Sequence, residues 1–120
     1  MGLTGDFARH KRLLKPGEFK RVFQDAVRSG DSMLTVFAKP NSMEHARLGL
    51  AISKKHLKLA VDRNRVKRQI RESFRQNQTQ LQGLDIVVMA RAGIKSEPNL
   101  AIRQSLERHW QRILRRCAQL

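Results

Sequence analysis

The sequence predicts an α+β protein in which helices pack against a single sheet of about four strands. Two observations indicate this class. Segments with apolar residues every three or four positions are interleaved with short segments in which every second residue is apolar. A chain of 120 residues also has the length of one domain with a single modest core. We therefore expect one domain over residues 1–120, with the element order α-β-β-β-α-β-α and a short first strand.

The chain is expected to begin with a basic, partly ordered arm over residues 1–14. A helix should start near Pro16, because proline is favoured in a first helical turn, and run to about Arg28, before a turn at residues 29–31. Four of its apolar residues share one stripe: Phe19, Val22, Phe23 and Ala26. The stripe predicts core packing, and the alternative is that its phenylalanines line a cleft where unpaired bases stack.

Two alternating segments predict strands in the first half of the chain. Residues 33–39 place Leu34, Val36 and Ala38 on one face and Phe37 on the other. Residues 47–54 alternate again, and a loop around residues 41–46 suggests an antiparallel hairpin between the two strands. One face of the later strand has only small residues: Gly49, Ala51 and Ser53. They either leave room for a packed helix or form the floor of a nucleic-acid groove.

The second half of the chain predicts one more strand and a long helix. Residues 85–91 form a continuous apolar run after Asp85, which is typical of a central strand covered on both faces. The last helix starts near Asn99, and its core stripe comprises Ile102, Leu106, Trp110, Ile113 and Cys117. Trp110 is interpreted as a packing anchor, and the arginines of this helix lie mostly off the stripe.

The most basic stretch lies between these halves, at residues 54–75. It holds nine Lys or Arg and two acids, a net +7 of the chain's +15. From about Leu59 it reads as a helix with an apolar stripe of Leu59, Val66, Ile70 and Phe74. The opposite stripe comprises Asn64, Arg68, Arg71 and Arg75, with Lys67 and Arg65 on its flanks. Such a charge run is often only a solvated face, but a one-signed face repels itself unless a polyanion lies across it. Nucleic acid is therefore the leading partner.

The composition also limits the other functions that the chain could have. It contains no transmembrane-length apolar run, no signal-peptide core and a single cysteine, so we expect a soluble cytoplasmic protein. The four histidines show no metal-ligand spacing, the acids are scattered singly, and phosphate-loop and nucleophile-elbow motifs are absent. His56 is the best lone candidate for acid–base chemistry, although a histidine in a basic loop is more often a bystander. We expect no catalysis by this chain alone and no metal bound by it.

The basic helix carries a recognisable motif. Residues 60–71, AVDRNRVKRQIR, resemble the RNR signature of the bacterial ribonuclease P protein subunit, and residues 49–55, GLAISKK, resemble the strand that precedes it. The resemblance covers essentially the whole chain and is tightest over residues 12–23 and 48–75. It implies a β-α-β crossover of left-handed sense, which is the opposite of the usual hand.

The resemblance also implies a function. In that family an RNA subunit catalyses removal of the 5′ leader from precursor tRNA, using Mg²⁺ held mainly by the RNA and its substrate, and the protein assists. The implied RNA-binding residues are Arg63, Asn64, Arg65, Lys67, Arg68, Arg71 and Arg75. The implied leader cleft comprises Phe19, Phe23, Phe37, Ser53, Lys54 and Lys55. The implied partners are the catalytic RNA and precursor tRNA, with no membrane and no obligate protein partner.

Three other functions are compatible with the composition. A ribosomal or other structural RNA-binding protein would be equally small, basic and without a catalytic constellation, and only the signature argues against it. A DNA-binding regulator could use the Arg68, Arg71 and Arg75 face, but the chain has no helix-turn-helix pattern. A stand-alone nuclease would have to cleave without an RNA subunit.

Overall fold

A computed structural model describes residues 16–119, and their elements follow the predicted order. The first half contains helix α1 (Pro16–Phe23) and strands β1 (Val27–Gly30), β2 (Leu34–Pro40) and β3 (Arg47–Ala51). The second half contains helix α2 (Ala60–Asn77), strand β4 (Leu84–Ala90), a 3₁₀ turn (Ala92–Ile94) and helix α3 (Asn99–Ala118). The predicted arm at residues 1–14 lies outside the described residues.

The four strands form one mixed sheet in the order β1-β2-β4-β3. β1, β2 and β4 are antiparallel neighbours, whereas β3 runs parallel to β4. The predicted hairpin between the second and third strands is therefore wrong, because β4 lies between them. The apolar run of β4 must be covered on both faces of the sheet, so β4 takes a central position, as predicted. β3 therefore lies at the edge. The left hand of the β3-α2-β4 crossover stays a prediction.

The hairpin that does form joins β1 to β2, and it shortens the first helix. α1 ends at Phe23 rather than at Arg28, and Asp25 takes a φ of 58°, a left-handed conformation that cannot continue a helix. Ser29 and Gly30, predicted as a turn, belong to β1, and Ala26 lies outside the helix. The turn comes after them, where Oδ1 of Asp31 accepts hydrogen bonds from two backbone N–H groups, at 2.8 and 2.9 Å.

Helices α2 and α3 cover one face of the sheet and enclose the main core. The stripe predicted for α3 is confirmed: four of its members are fully buried and Cys117 packs against them. Trp110 anchors the core and donates a hydrogen bond from Nε1 to Ser73 Oγ at 2.8 Å. The α2 stripe is confirmed except for Leu59, which is 58% exposed because it precedes the first helical residue in extended backbone. Leu57 is fully buried in the core instead.

Helix α1 lies on the other face of the sheet. Its Val22 is fully buried against Val87 of β4, and Phe19, Phe37 and Ala51 pack around this pair. Of the two interpretations of the small residues on β3, the packed helix is the one observed at Ala51. α1 has only eight residues, and Met89, which follows Val87 on the same face by alternation, is 36% exposed. Within residues 16–119, no helix is both long and apolar enough to cross a membrane.

Candidate nucleic-acid interface

The basic face of α2 is directed away from α3. Asn64, Arg68 and Arg71 are exposed and Lys67 is half-buried. The opposite flank of α2 is occupied by contacts with α3, in which Glu107 accepts hydrogen bonds from Ser73 at 3.2 Å and from Asn77 at 2.8 Å. Since α3 contacts β1 and β2, the basic face of α2 lies toward the β3 edge of the molecule.

Several of the predicted RNA-binding residues also contact groups within the protein. Arg75 forms a bidentate ion pair with Glu72, at 2.8 and 2.9 Å, so its charge is locally compensated. Arg65 donates to Asn99 Oδ1 at 2.8 Å and to the Glu97 carbonyl at 3.1 Å. The side chain of Arg65 therefore joins α2 to the start of α3, on the flank of the basic stripe that lies toward α3, and its role in RNA binding stays a prediction.

Arg63 has an intramolecular role at the beginning of α2. Its guanidinium donates to the carbonyl oxygens of Leu57 and Lys58, both at 2.8 Å, and so orders the loop that leads into the helix. The structure thus divides the predicted set into two groups. Arg63, Arg65 and Arg75 bond to the protein groups named above, and the other four residues lie on the surface of α2 that faces away from α3.

The aromatic residues proposed for the cleft meet on the α1 face of the sheet. The rings of Phe23 and Phe37 pack edge to face, with centroids 4.9 Å apart and an interplanar angle of 87°. Phe19 packs in the same cluster, while Phe23 remains 43% exposed. The guanidinium of Arg28 lies 5.7 Å from the centre of the Phe37 ring, within cation–π range. The result is a half-open aromatic surface with a cation beside it.

Sequence reasoning missed Arg28 and Met89 as residues of this surface. Helical spacing predicts Arg28 at the end of the first helix, and that prediction hides its place on the α1 face of a strand. Met89 lies in an apolar run whose two faces look the same in sequence. Only the position of α1 in the structure shows that the face of β4 with Met89 is incompletely covered.

A basic turn connects β3 to α2. Ser53, Lys54 and Lys55 are exposed and follow directly after Ala51 and Ile52 at the end of β3. The turn is ordered by Ser53, whose Oγ accepts the Lys55 N–H and whose carbonyl accepts the Leu57 N–H, both at 3.0 Å. The two lysines therefore lie in the segment that connects β3 to the basic helix.

A buried ion-pair network holds α1 against the sheet. Asp85 accepts hydrogen bonds from Arg47 at 2.8 and 2.7 Å, from Asn41 at 2.9 Å and from Arg21 of α1 at 2.8 Å. Arg47 also donates to Glu18 of α1 at 2.6 Å. Burial opposes ionisation of Asp85, but these donors outweigh it and lower the pKa of its carboxyl. The network holds α1, one wall of the proposed cleft, against the sheet, and its one signal in the sequence is a lone acid before an apolar run.

One constellation has the residue types of a hydrolase triad but not its accessibility. His109 Nδ1 lies 2.7 Å from Ser29 Oγ, and Nε2 lies 3.1 Å from Asp31 Oδ2 without hydrogen-bond geometry. His109 and Ser29 are buried, so a substrate cannot reach the hydroxyl. Among the described residues no group of three or more His, Cys, Asp or Glu could hold a metal ion. The His56 side chain is exposed, and among the described residues it forms no hydrogen bond or ion pair.

An α+β fold with a basic exposed helix face on one side of its sheet and a partly open aromatic surface on the other has the features expected of a nucleic-acid-binding protein. The family model described as Ribonuclease P matches residues 7–114. A ribonuclease P protein component from Methylococcus capsulatus is 54% identical over 112 residues, which cover 93% of this chain and 88% of that protein. The chain belongs to the ribonuclease P protein family.

Solved structures of the same family confirm the fold. A ribonuclease P protein from Staphylococcus aureus superposes with a TM-score of 0.79 at 34% identity, covering 84% of this chain and 93% of that one. The protein from Thermotoga maritima gives a TM-score of 0.75 at 29% identity, covering 85% and 96%. The resemblance seen in the RNR segment therefore extends over most of the described chain, and it identifies a protein component of a tRNA-processing endoribonuclease.

Proposed function

We propose that this protein binds the catalytic RNA of ribonuclease P through α2 and the 5′ leader of precursor tRNA through the aromatic cleft. The observation that supports this most strongly is the orientation of α2. Its Asn64, Lys67, Arg68 and Arg71 face away from α3, toward the β3 edge of the sheet, where the basic turn at residues 53–55 enters α2. In this proposal the RNA bound on α2 and the leader bound on the α1 face meet at that edge.

The protein would act by electrostatics and positioning rather than by chemistry. A catalytic RNA and its substrate are both polyanions, and a protein of net charge +15 between them offsets part of their repulsion. It would thereby raise substrate affinity and lower the Mg²⁺ concentration that the two RNAs need. The Mg²⁺ ions would be held mainly by the RNA subunit and substrate, where they supply the cleavage chemistry. The protein alone would not cleave, and it would work in the cytoplasm.

The double variant R68A/R71A tests the α2 interface. Both side chains are exposed, so the melting temperature should stay near that of the wild type. Binding to ribonuclease P RNA should weaken, and the slope of log K against log salt should flatten by about 0.7 to 0.9 per lost phosphate contact. Filter binding across a salt series measures the slope.

A matched control is the double variant K20A/K95A, which removes the same charge from exposed positions elsewhere. It should change the slope much less than R68A/R71A. If R68A/R71A lowers the melting temperature and leaves RNA affinity unchanged, the face has been assigned wrongly.

The alternative is a structural RNA-binding protein with no role in cleavage. It would give the same salt dependence, because any phosphate contacts on α2 produce it. Only an assay of leader removal separates the two functions.

A further inference from the structure

Helix α3 carries a second group of arginines that the proposed function does not use. Arg108, Arg112, Arg115 and Arg116 lie close together in the second half of the helix, and we call them the α3 cluster. Arg112 is half-buried and the other three are exposed. The sequence shows these arginines off the core stripe, but it does not show which side of the molecule they occupy.

The packing of α3 defines that side. Trp110 points into the core, and Arg103 and Glu107 reach α2, with Arg103 donating to Gln76 at 2.8 Å. At about 100° per residue, the α3 cluster falls on the sides of the helix that face solvent, away from Trp110 and from the α2 contacts of Arg103 and Glu107. It therefore faces away from α2, just as the basic face of α2 faces away from α3.

Three contacts fix this half of α3 against the edge strand β1. His109 Nδ1 lies 2.7 Å from Ser29 Oγ, and Ser105 Oγ donates to Asp31 Oδ2 at 2.6 Å. Arg116 donates to the backbone carbonyl of Arg28. The α3 cluster is thus held at the β1 edge of the sheet, whereas the basic face of α2 lies toward the β3 edge.

The charges of the α3 cluster are not balanced within the described part of the chain. Between residues 16 and 119, Arg108, Arg112 and Arg115 form no ion pair and no side-chain hydrogen bond. The acid of this helix, Glu107, bonds to Ser73 and Asn77 of α2 instead. Arginines four residues apart are separated by about 6 Å along the helix and repel each other. A polyanion across this surface would remove the repulsion.

We propose that the α3 cluster is a second RNA-binding surface, which grips the phosphate backbone of an RNA segment other than the one on α2. Arginine suits phosphate because its planar guanidinium can donate two hydrogen bonds at once. The proposal rests on the proposed function, since the RNA is the one that α2 binds. Because the two surfaces lie at opposite edges of the sheet, the protein would bridge two RNA segments rather than dock on one.

The test compares R108A/R112A with R68A/R71A and with the control K20A/K95A, in binding to ribonuclease P RNA over a salt series. We expect R108A/R112A to flatten the salt slope by about 1.5, two contacts at 0.7 to 0.9 each. The loss should add to that of R68A/R71A in the quadruple variant, because the contacts are on separate segments. A slope for R108A/R112A equal to that of K20A/K95A would overturn the proposal.

The comparison also separates this proposal from the proposed function. If R68A/R71A has no effect either, the assignment of the RNA partner to α2 fails. If R68A/R71A flattens the slope and R108A/R112A does not, only the second surface fails.

A directed cleavage experiment gives a readout that is independent of affinity. In a C117S background, the variants R112C, R68C and K20C each carry an iron chelate that cuts nearby RNA by hydroxyl radicals. R112C and R68C should cut different segments of the RNA, and K20C should cut weakly. Cutting from R112C no stronger than from K20C, or confined to the segment cut by R68C, would overturn the proposal.

Discussion

Phe37 is the residue on which the proposed leader cleft most depends. It pairs with β1 and β4 at the centre of the α1 face, in register with Arg28 on one side and Val87 on the other. Its ring contacts Phe23 edge to face and lies beside the guanidinium of Arg28. An unpaired base could stack on this partly exposed surface while Arg28 approaches its phosphate, an arrangement typical of single-stranded nucleic-acid binding.

Replacement of Phe37 by Ala should therefore weaken binding of precursor tRNA by on the order of tenfold, since one stacked base contributes about 1 to 3 kcal/mol. Binding of mature tRNA, which has no leader, should change much less. The measurement is the dissociation constant of the protein–RNA complex for both substrates.

The variant F37L is the matched control, because leucine keeps apolar packing against Val22 and Val87 but has no ring. It should retain the melting temperature better than F37A and still lose leader affinity. Equal loss for precursor and mature tRNA in both variants would rule out a stacking role for Phe37.

At the scale of elements, α3 is tied to the edge strand by a buried titratable group. His109 is fully buried between Ser29 and Asp31. Burial lowers the pKa of His109 below its ordinary 6.5, Asp31 opposes this, and Arg112 and Arg108 add to it. Asp31 has a lowered pKa of its own, because the hydrogen bonds from Ser105 and from the Leu34 and Met33 amides outweigh its burial.

These pKa shifts predict that stability falls in acid. The unfolded chain takes up a proton on His109 below about pH 6.5, while the folded chain keeps the ring neutral to lower pH. The free energy of unfolding is therefore highest above pH 6.5 and decreases as the pH falls toward the folded-state pKa. Asp31 and Asp85 add a further loss below their ordinary pKa of 3.8.

The variant H109Q removes the first of these losses. It should be less stable at pH 7, because the buried ring is lost, but its free energy of unfolding should vary less between pH 7 and 5. Urea unfolding at several pH values measures this, with H56Q, at an exposed position, as the control. If the free energy of unfolding depends on pH in H109Q as it does in the wild type, the pKa of His109 does not differ between the folded and unfolded states.

The elements that the sequence predicts well are those in which the spacing of apolar residues alone shows which side chains are buried. The core stripes of α2 and α3 and the central run of β4 are periodic enough to identify alone. β1 and its hairpin are poorly predicted. A four-residue strand has too few positions to show alternation, and the helical spacing from Phe19 to Ala26 runs up to its first residue. The partner of β3 was missed because the parallel crossover brings in a strand about thirty residues later.

The candidate site is predictable only in part for a related reason. A helical wheel shows that Arg68 and Arg71 lie opposite the core, but it does not show where a neighbouring helix packs. Arg65 contacts the start of α3, and Arg75 pairs with Glu72, so neither belongs simply to the basic face. The network around Asp85 joins residues from three separate segments, and single-sequence patterns carry no signal for it.

The arrangement of charge fits a protein placed between RNAs. Exposed cations lie on the α2 face, on the basic turn after β3 and on the α3 cluster, at two edges of one small sheet. The apolar stripes of α2 and α3 are used by the core, so these surfaces remain polar. In the function proposed above, this charge would lower the repulsion between a catalytic RNA and its substrate.

The most direct test of this account is reconstitution at low Mg²⁺. Precursor tRNA is incubated with the cognate ribonuclease P RNA, with and without the protein, and with the protein alone. We predict that cleavage at the mature 5′ end appears mainly when RNA and protein are combined, and that the protein alone does not cleave. An RNA activity that the protein leaves unchanged at every Mg²⁺ concentration would contradict the account.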